Sequence, residues 1–290
     1  MHKKRHGKTI RIFLMDGIPN GRMACELSNW SGKAYKIPRA LVKECADRAD
    51  LDKTGVYLLV GKSDEESQKK AAYVGETENV YNRLVQHMEE KDFWQEAIVF
   101  TSKDDNLNKA HVKYLESRMH EIAAKADRYD ILNGNKPTKP AISEPDMAEM
   151  EEFLENAKVF VPILGHRVFE TLRMSELDEV GGSFVFSIKS ARGANALGQS
   201  SPEGFVVFQG SETAKDNVDS CSPSIIRLKA RLIEEKVIVE GGGKLVFTRD
   251  HLFSSPSTAA GVVTGSSVNG LIHWKTKDGQ TLKMIESGVE

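Results

Sequence analysis

The 290-residue sequence predicts an α+β protein, because segments that alternate apolar and polar residues are interleaved with segments that have the 3.6-residue period of amphipathic helices. This pattern occurs twice, and an acidic segment separates the two groups. A chain of this length is expected to form one large or two smaller domains. We expect four consecutive parts: an N-terminal basic β unit with a helix (1–53), a central domain (54–140), an acidic helical connector (141–180) and a small α+β module (181–290).

The N-terminal unit is expected to contain three short strands and one helix. The strands are TIRIFLMDG, GRMACELSNW and GKAYKIP, which have glycine at the turns. A helix is expected to begin at Pro38, because Leu41 and Cys45 lie four residues apart. Residues 1–54 carry 12 basic and 6 acidic side chains. The basic start, MHKKRHGK, is compatible with contact to DNA phosphates and equally with a solvated surface.

Three strands and two helices are expected in the central domain. The strands are GVYLLV, AAYVG and EAIVFTSK, and the polar loop GKSDEESQKK joins the first two. The first helix is NVYNRLVQHMEE, with Thr77 as the expected N-cap. The second helix, NKAHVKYLESRMHEIAAKAD, has a buried stripe at Val112, Leu115, Met119 and Ile122. We therefore expect a three-stranded antiparallel sheet with flanking helices.

Two short aromatic-glycine words lie at the edges of the first two strands, Gly55-Val56-Tyr57 and Tyr73-Val74-Gly75. Four polar residues follow them on the helices and behind the second helix: Arg83, His87, Glu116 and Asn133. On these residues and the motif glycines Gly55 and Gly75, the stretch from Thr54 to Pro137 resembles a GIY-YIG nuclease domain. That family hydrolyses phosphodiester bonds in DNA, so the resemblance implies a metal-dependent endonuclease whose target is set by flanking modules.

The resemblance also implies a metal ion and a phosphate contact. Glu116 would hold Mg²⁺ or Mn²⁺, since a hard cation that keeps part of its water shell can combine one carboxylate with phosphate oxygens. Arg83 would pair with the scissile phosphate through its planar guanidinium. The alternative function is a non-catalytic DNA-binding or adaptor protein that keeps this fold. The intact set of polar residues favours the enzyme.

Four further roles follow from the same resemblance. Tyr57 would activate the nucleophile, and the final proton acceptor would be either Tyr57 or His87, between which the sequence does not decide. Tyr73 would orient the phosphate or the attacking water. Asn133 would brace the site by hydrogen bonds.

The C-terminal module is expected to contain short strands with glycine turns and then four further elements. These are the helix PSIIRLKARLIEEK, the hairpin VIVEGGGKLVFTR, the capped helix SPSTAAGVV and a closing hairpin, NGLIHWKTKDGQTLKM. Residues 250–282, with Asp250, Asn269, Trp274 and Asp278 and their neighbours, resemble a module of uncharacterised function, the DUF4357 type, that recurs behind GIY-YIG domains. Its ligand stays open, and a protein partner is one possibility.

Composition restricts the class of protein. No run of 18 or more apolar residues occurs, so no membrane span is expected. The basic start lacks an apolar segment behind it, so no secretory signal is expected. The three cysteines are far apart and form no CxxC pair, which predicts neither a zinc site nor a disulfide framework. We therefore expect a cytoplasmic, DNA-binding protein, and the sequence leaves its oligomeric state open.

Overall fold

The computed structural model describes residues 6–63, 69–173 and 184–288, and it divides the chain into two compact units, Met1–Thr171 and Leu172–Glu290. Within the described residues, each unit contains a seven-stranded sheet and helices, so the α+β class is confirmed. Three expectations lie outside the described residues: the first part of the basic arm, the middle of the loop GKSDEESQKK, and the boundary between the connector and the module.

The first unit is built on one mixed sheet. Its strands are β1 (Ile10–Leu14), β2 (Met23–Leu27), β3 (Gly32–Pro38), β4 (Gly55–Lys62), β5 (Lys70–Thr77), β6 (Trp94–Ser102) and β7 (Tyr129–Ile131). They lie in the order β1-β2-β3-β6-β4-β5-β7, antiparallel except for the parallel pair β5 and β7. Its α-helices are α1 (Val80–Glu90), α2 (Lys109–Ala126) and α3 (Glu144–Ile163).

The sheet is larger than the sequence predicts. Strands β4, β5 and β6 are antiparallel neighbours, as expected, but β3 pairs with the other edge of β6 along its whole length, from Gly32 opposite Ser102 to Pro38 opposite Glu96. The N-terminal strands therefore extend the central sheet and do not form a separate unit. The physical reason lies in β6, which is buried from Ala97 to Ser102 and needs hydrogen-bond partners along both edges.

The helix expected from Pro38 is wrong. The segment forms two short 3₁₀ helices, Arg39–Leu41 and Lys43–Cys45. Tertiary contacts override the helical spacing, because the Arg39 guanidinium donates to the carbonyls of Met88, at 2.7 Å, and Lys91. Of the two spaced positions, Cys45 is buried and Leu41 only partly so, whereas Val42, outside the spacing, is fully buried.

The N-cap of α1 also differs from the prediction. The side chain of Asn79 accepts a hydrogen bond from the Asn82 amide at 3.0 Å, so Asn79 is the cap. Thr77 instead accepts from the Asn79 amide at 3.1 Å, two residues too early to cap the helix. Both residue types are good caps, and the geometry of the strand end decides between them.

The acidic segment expected as a connector forms a packed helix of the first unit. The hydroxyl of Ser143 caps α3 by accepting from the Asp146 amide at 3.2 Å. The helix buries Phe153 and Phe160, whose rings lie 4.9 and 5.4 Å from the Trp30 ring, centroid to centroid. The excess of acidic residues had suggested a solvated linker, but the apolar positions between them form a core stripe.

The second unit has an antiparallel sheet of seven described strands. They are β8 (Val185–Lys189), β9 (Asn195–Ser201), β10 (Gly204–Val207), β11 (Glu212–Thr213), β12 (Ile238–Gly241), β13 (Lys244–Phe247) and β14 (His251–Phe253). The helices are α4 (Pro223–Glu234), α5 (Pro256–Thr264), α6 (Gly270–His273) and α7 (Leu282–Ser287). The expected helices α4 and α5 and the hairpin of β12 and β13 are confirmed.

The closing hairpin is confirmed only around its Asp278-Gly279 turn, where Lys275 and Thr281 form an antiparallel bridge. The outer parts of its two arms form the short helices α6 and α7. The side chains of Asn269 and Thr281 cap them by accepting from the amides of Leu271, at 3.0 Å, and Met284, at 3.2 Å. Trp274, which links them, is fully buried in the core of this unit, as its residue type predicts. Among the described residues, no helix combines the length and apolar content needed to span a membrane.

Candidate active site

Strands β4 and β5 bring the two aromatic-glycine words together. Tyr57 lies opposite Gly75, and Leu59 lies opposite Tyr73. A Cβ atom at Gly75 would lie 2.4 Å from the hydroxyl end of the Tyr57 ring, which is too close for any side chain. Gly55 is similarly crowded, since a Cβ there would lie 2.7 Å from the Phe100 carbonyl oxygen. Both motif glycines therefore have a steric role: they leave room for the Tyr57 ring and for a close strand approach.

The hydroxyl of Tyr57 is shared by two side chains of α1. It lies 2.7 Å from Nε2 of His87, and the Nε–H of Arg83 donates to it at 3.3 Å. Arg83 and His87 are four residues apart, so one helix face presents both to the strand. The Arg83 fork also donates from Nη1 to the Gln86 side chain at 2.5 Å, which holds the guanidinium at this position.

Tyr73 lies beside this group on β5. Its ring centroid is 6.5 Å from that of Tyr57 and 5.5 Å from that of His87. Lys91 lies over the outer side of the Tyr73 ring, with Nζ 4.7 Å from the centroid. Tyr73 is partly exposed, whereas Tyr57 and His87 are fully buried. It is thus the tyrosine of the pair that solvent or a ligand reaches first.

Burial sets the protonation states of the Tyr57–His87 pair. Burial, with the positive charges of Arg83 and Lys91, lowers the pKa of His87 to about 4. Burial also raises the pKa of Tyr57, and the hydrogen bond from Arg83 only partly offsets this effect. At neutral pH the pair is a phenol and a neutral imidazole, so the phenol donates and Nε2 of His87 accepts. Among the described residues, Nδ1 of His87 has no hydrogen-bond partner.

Glu116 projects from α2 and shares the electrostatic environment of this group. Burial, followed by the negative charge of Glu76, raises the pKa of Glu116 to about 7, although the charges of Lys109, Lys113 and Arg83 act in the opposite direction. The charge of Glu116 in turn raises the pKa values of both tyrosines. The structure therefore places Glu116 in one charge cluster with Tyr57, Tyr73 and Arg83.

The chemistry of Glu116 suits a hard cation. No described residue gives its carboxylate a hydrogen bond or an ion pair, and its raised pKa reports a negative charge without sufficient compensation. A divalent ion would supply that compensation. The described residues contain no group of three or more His, Cys, Asp or Glu that could hold a metal. Phosphate oxygens and water would therefore complete the coordination of Mg²⁺ or Mn²⁺ at Glu116.

Asn133 contacts the site through the backbone of β5. Its Oδ1 accepts from the Val74 amide at 3.0 Å, and its Nδ2 donates to the Val74 carbonyl at 2.8 Å. Strand β7 pairs only with residues Lys70–Ala72, so the Asn133 side chain continues the edge of β5 where β7 has ended. The expected bracing is thus exerted on the strand that carries Tyr73 and Gly75.

Sequence reasoning missed three polar residues at the site. They line an open groove of about 440 Å³ that also contains Arg83: Glu76, Gln86 and Lys109. Glu76 follows the motif glycine directly, and its carboxylate pairs with Lys109 at 2.9 Å. A carboxylate at the end of a motif strand was a signal in the sequence. The pairing with Lys109 was not, because that residue is 33 positions away on another helix.

A comparison with protein families identifies part of the second unit. Residues 186–286 match the family model described as "Domain of unknown function (DUF4357)". No curated protein and no solved structure matches the chain. The similarity to GIY-YIG nucleases stays a prediction that rests on the motif residues of the first unit. The DUF4357 resemblance predicted from the C-terminal sequence is confirmed, and a DUF4357 domain occupies residues 186–286.

Proposed function

We propose that the protein is a metal-dependent DNA endonuclease that hydrolyses phosphodiester bonds. Its active site would consist of Tyr57, His87, Arg83 and Glu116. The observation that carries this proposal is the Tyr57 hydroxyl, which contacts Nε2 of His87 at 2.7 Å and Nε of Arg83 at 3.3 Å. A buried phenol between a neutral base and a fixed cation is suited to moving a proton beside an anionic substrate.

The proton moves along this contact during attack by water. As the water oxygen forms a bond to phosphorus, Tyr57 takes the water proton and passes its own proton to Nε2 of His87. The bond from phosphorus to the leaving oxygen then breaks, and solvent supplies the proton that this oxygen needs. The raised pKa of Tyr57 disfavours a lasting phenolate, and the lowered pKa of His87 makes the imidazolium short-lived, so the proton stays on His87 only during the attack.

Arg83 and Glu116 serve the phosphate and the metal. The Arg83 guanidinium, held by Gln86, donates to the non-bridging oxygens and stabilises the charge that builds up on them. Glu116 would hold Mg²⁺ or Mn²⁺, which would supply neutralisation of the phosphoryl charge. The partly exposed Tyr73 orients the phosphate or the water.

Cleavage of a panel of duplex, nicked, branched and single-stranded DNAs with Mg²⁺ or Mn²⁺ tests this function. Tyr57→Phe removes only the hydroxyl and should lower the rate by about 10²–10⁴-fold. Tyr114→Phe is the matched control, because the Tyr114 hydroxyl binds Glu151 at 2.8 Å, outside the candidate site. Binding of DNA without cleavage of any member of the panel would support the non-catalytic alternative.

A further inference from the structure

The DUF4357 domain has an open groove on the solvent face of its sheet. The groove has a volume of about 570 Å³ and lies between β8, β9 and the turn that precedes β11. Along β8 and β9, the groove residues Val185, Lys189 and Leu197 alternate with residues such as Phe186 and Ala196, which point into the core. One sheet face is therefore the floor of the groove, and the turn before β11 and Lys277 complete its lining.

The turn at the side of the groove is fixed by hydrogen bonds. The Gly210 amide donates to the Phe247 carbonyl at 2.8 Å, and the Gln209 amide donates to Asp250 at 2.8 Å. The hydroxyl of Ser211 donates to the Leu197 carbonyl and accepts from its amide, at 3.2 and 3.1 Å. Because its walls are strand and bonded turn, the groove is preformed, as ligand sites usually are.

The chemistry of the groove has three components. Its floor is aliphatic, since Val185 and Leu197 remain 49% and 48% exposed. The side-chain amides of Asn195 and Gln209 offer both donors and acceptors. Lys189 and Lys277 supply positive charge, and no acidic side chain lines the groove among the described residues.

These components suit a nucleic-acid strand, whose backbone is anionic and whose bases have flat apolar faces and polar edges. Lysines bind phosphates, and amide side chains bind base edges through paired hydrogen bonds. An aliphatic floor can pack against the face of a base. That face is hidden by stacking in a duplex and is accessible in a single strand. We propose that this groove binds an unpaired DNA strand, with a base against Leu197 and phosphates at Lys189 and Lys277.

This inference deepens the proposed nuclease function, on which it rests, by naming its substrate class. DNA that contains an unpaired segment, such as a flap, a gap or a fork, would bind through the DUF4357 domain and be cut by the first unit. An extended acidic peptide shares the negative charge but not the base edges, and it serves as the competitor in the test.

The test is binding of a fluorescent single-stranded oligonucleotide by the full-length protein in EDTA, where metal-dependent cleavage cannot occur. The double variant Lys189→Ala/Lys277→Ala should bind at least tenfold more weakly. It should also reduce the slope of log K against log salt by about 1.4, because each lost phosphate contact in a single strand contributes about 0.7. The double variant Lys215→Ala/Lys283→Ala removes the same charge outside the groove and should leave affinity and slope unchanged.

Two further binding measurements distinguish a single strand from the other ligand classes. A duplex of the same sequence should bind less tightly than the single strand, and an oligoglutamate peptide should not displace the strand. Equal loss of binding in both double variants, or preferential binding of the duplex or the peptide, would overturn the inference. The same proteins are assayed separately for cleavage with Mg²⁺. A groove that binds single strands in a protein that cuts no DNA would refute the nuclease function and leave the binding site standing.

Discussion

At the residue scale, the candidate site contains two groups whose shifted pKa values change the stability of the fold in opposite directions with pH. His87 has a pKa of about 4, below its ordinary value, so the unfolded chain binds its proton more readily and the folded state loses stability as pH falls from about 6.5 to 4. Glu116 has a pKa of about 7, above its ordinary value, so its contribution to stability is lost as pH rises from about 4.5 to 7. Groups with shifted pKa values that share one cleft are candidates for a functional site.

Replacing Glu116 by Gln should therefore stabilise the protein at pH 8. The neutral amide removes an uncompensated charge, and the expected gain in unfolding free energy is about 1–2 kcal/mol after allowance for partial solvent exposure. The gain should vanish at pH 4, where Glu116 is protonated in both states. Denaturant unfolding at the two pH values measures it.

Glu151→Gln is the control, and the opposite change in stability is expected for it. Arg118 binds the Glu151 carboxylate at 2.6 Å and lowers its pKa, so its ionised form stabilises the fold and the variant should be less stable at pH 8. If Glu116→Gln also loses stability at pH 8, the charge of Glu116 is compensated and the proposed metal position is wrong.

Arg83→Lys should retain little cleavage, with a loss of about 10²-fold or more. A compact ammonium cannot contact the Tyr57 hydroxyl and two phosphate oxygens from one planar fork. The rate is compared with that of Arg118→Lys, whose partners Glu121 and Glu151 lie outside the site. Full activity of Arg83→Lys would mean that this position supplies positive charge alone.

At the element scale, the sequence predicts helices and individual strands better than their partners. The stripe of α2 and the apolar run of β4 are local patterns, and both elements form as expected. Pairing between β3 and β6 joins residues 58 to 70 positions apart, and no local pattern encodes it. For the same reason the motif residues could be chosen from the sequence, whereas the contact of Glu76 with Lys109 could not.

The close packing of β4 against β5 predicts that alanine destabilises the protein at one glycine and not at another. Gly75→Ala should lower the free energy of unfolding by about 1–3 kcal/mol and displace the Tyr57 ring, because the new methyl would lie 2.4 Å from it. Gly134→Ala meets no atom within 4 Å and should be neutral. Unfolding free energies and cleavage rates of both variants check this. Equal behaviour of the two would show that the ring does not cover Gly75.

At the scale of the whole molecule, the chain has two compact units. The boundary between them, after Thr171, comes later in the sequence than the predicted end of the central domain at residue 140. Helix α3 buries Leu154 and Ala157 in the first core, so a cut at residue 140 would expose that core. Removing residues 1–37 would likewise leave one edge of β6 without its partner. The units could be predicted from changes in composition, but the packing of the acidic helix follows only from the tertiary structure.

A protein that ends at residue 173 should fold and keep weak cleavage, because every proposed catalytic residue and helix α3 are retained. It should discriminate less between single-stranded and duplex DNA, since the groove of the DUF4357 domain is gone. Circular dichroism checks folding, and the ratio of cleavage rates over the DNA panel measures selectivity. Unchanged selectivity of a folded fragment would assign the DUF4357 domain another role.

The proposed nuclease function requires that Glu116 hold the metal for DNA hydrolysis. The most direct measurement compares cleavage of the best DNA substrate by the wild-type protein and by Glu116→Gln across a Mg²⁺ titration. Cleavage should rise with Mg²⁺ for the wild type and stay at background for the variant, which should still fold and still bind DNA in EDTA. Cleavage by a folded Glu116→Gln protein at the wild-type rate and with the same Mg²⁺ dependence would contradict it.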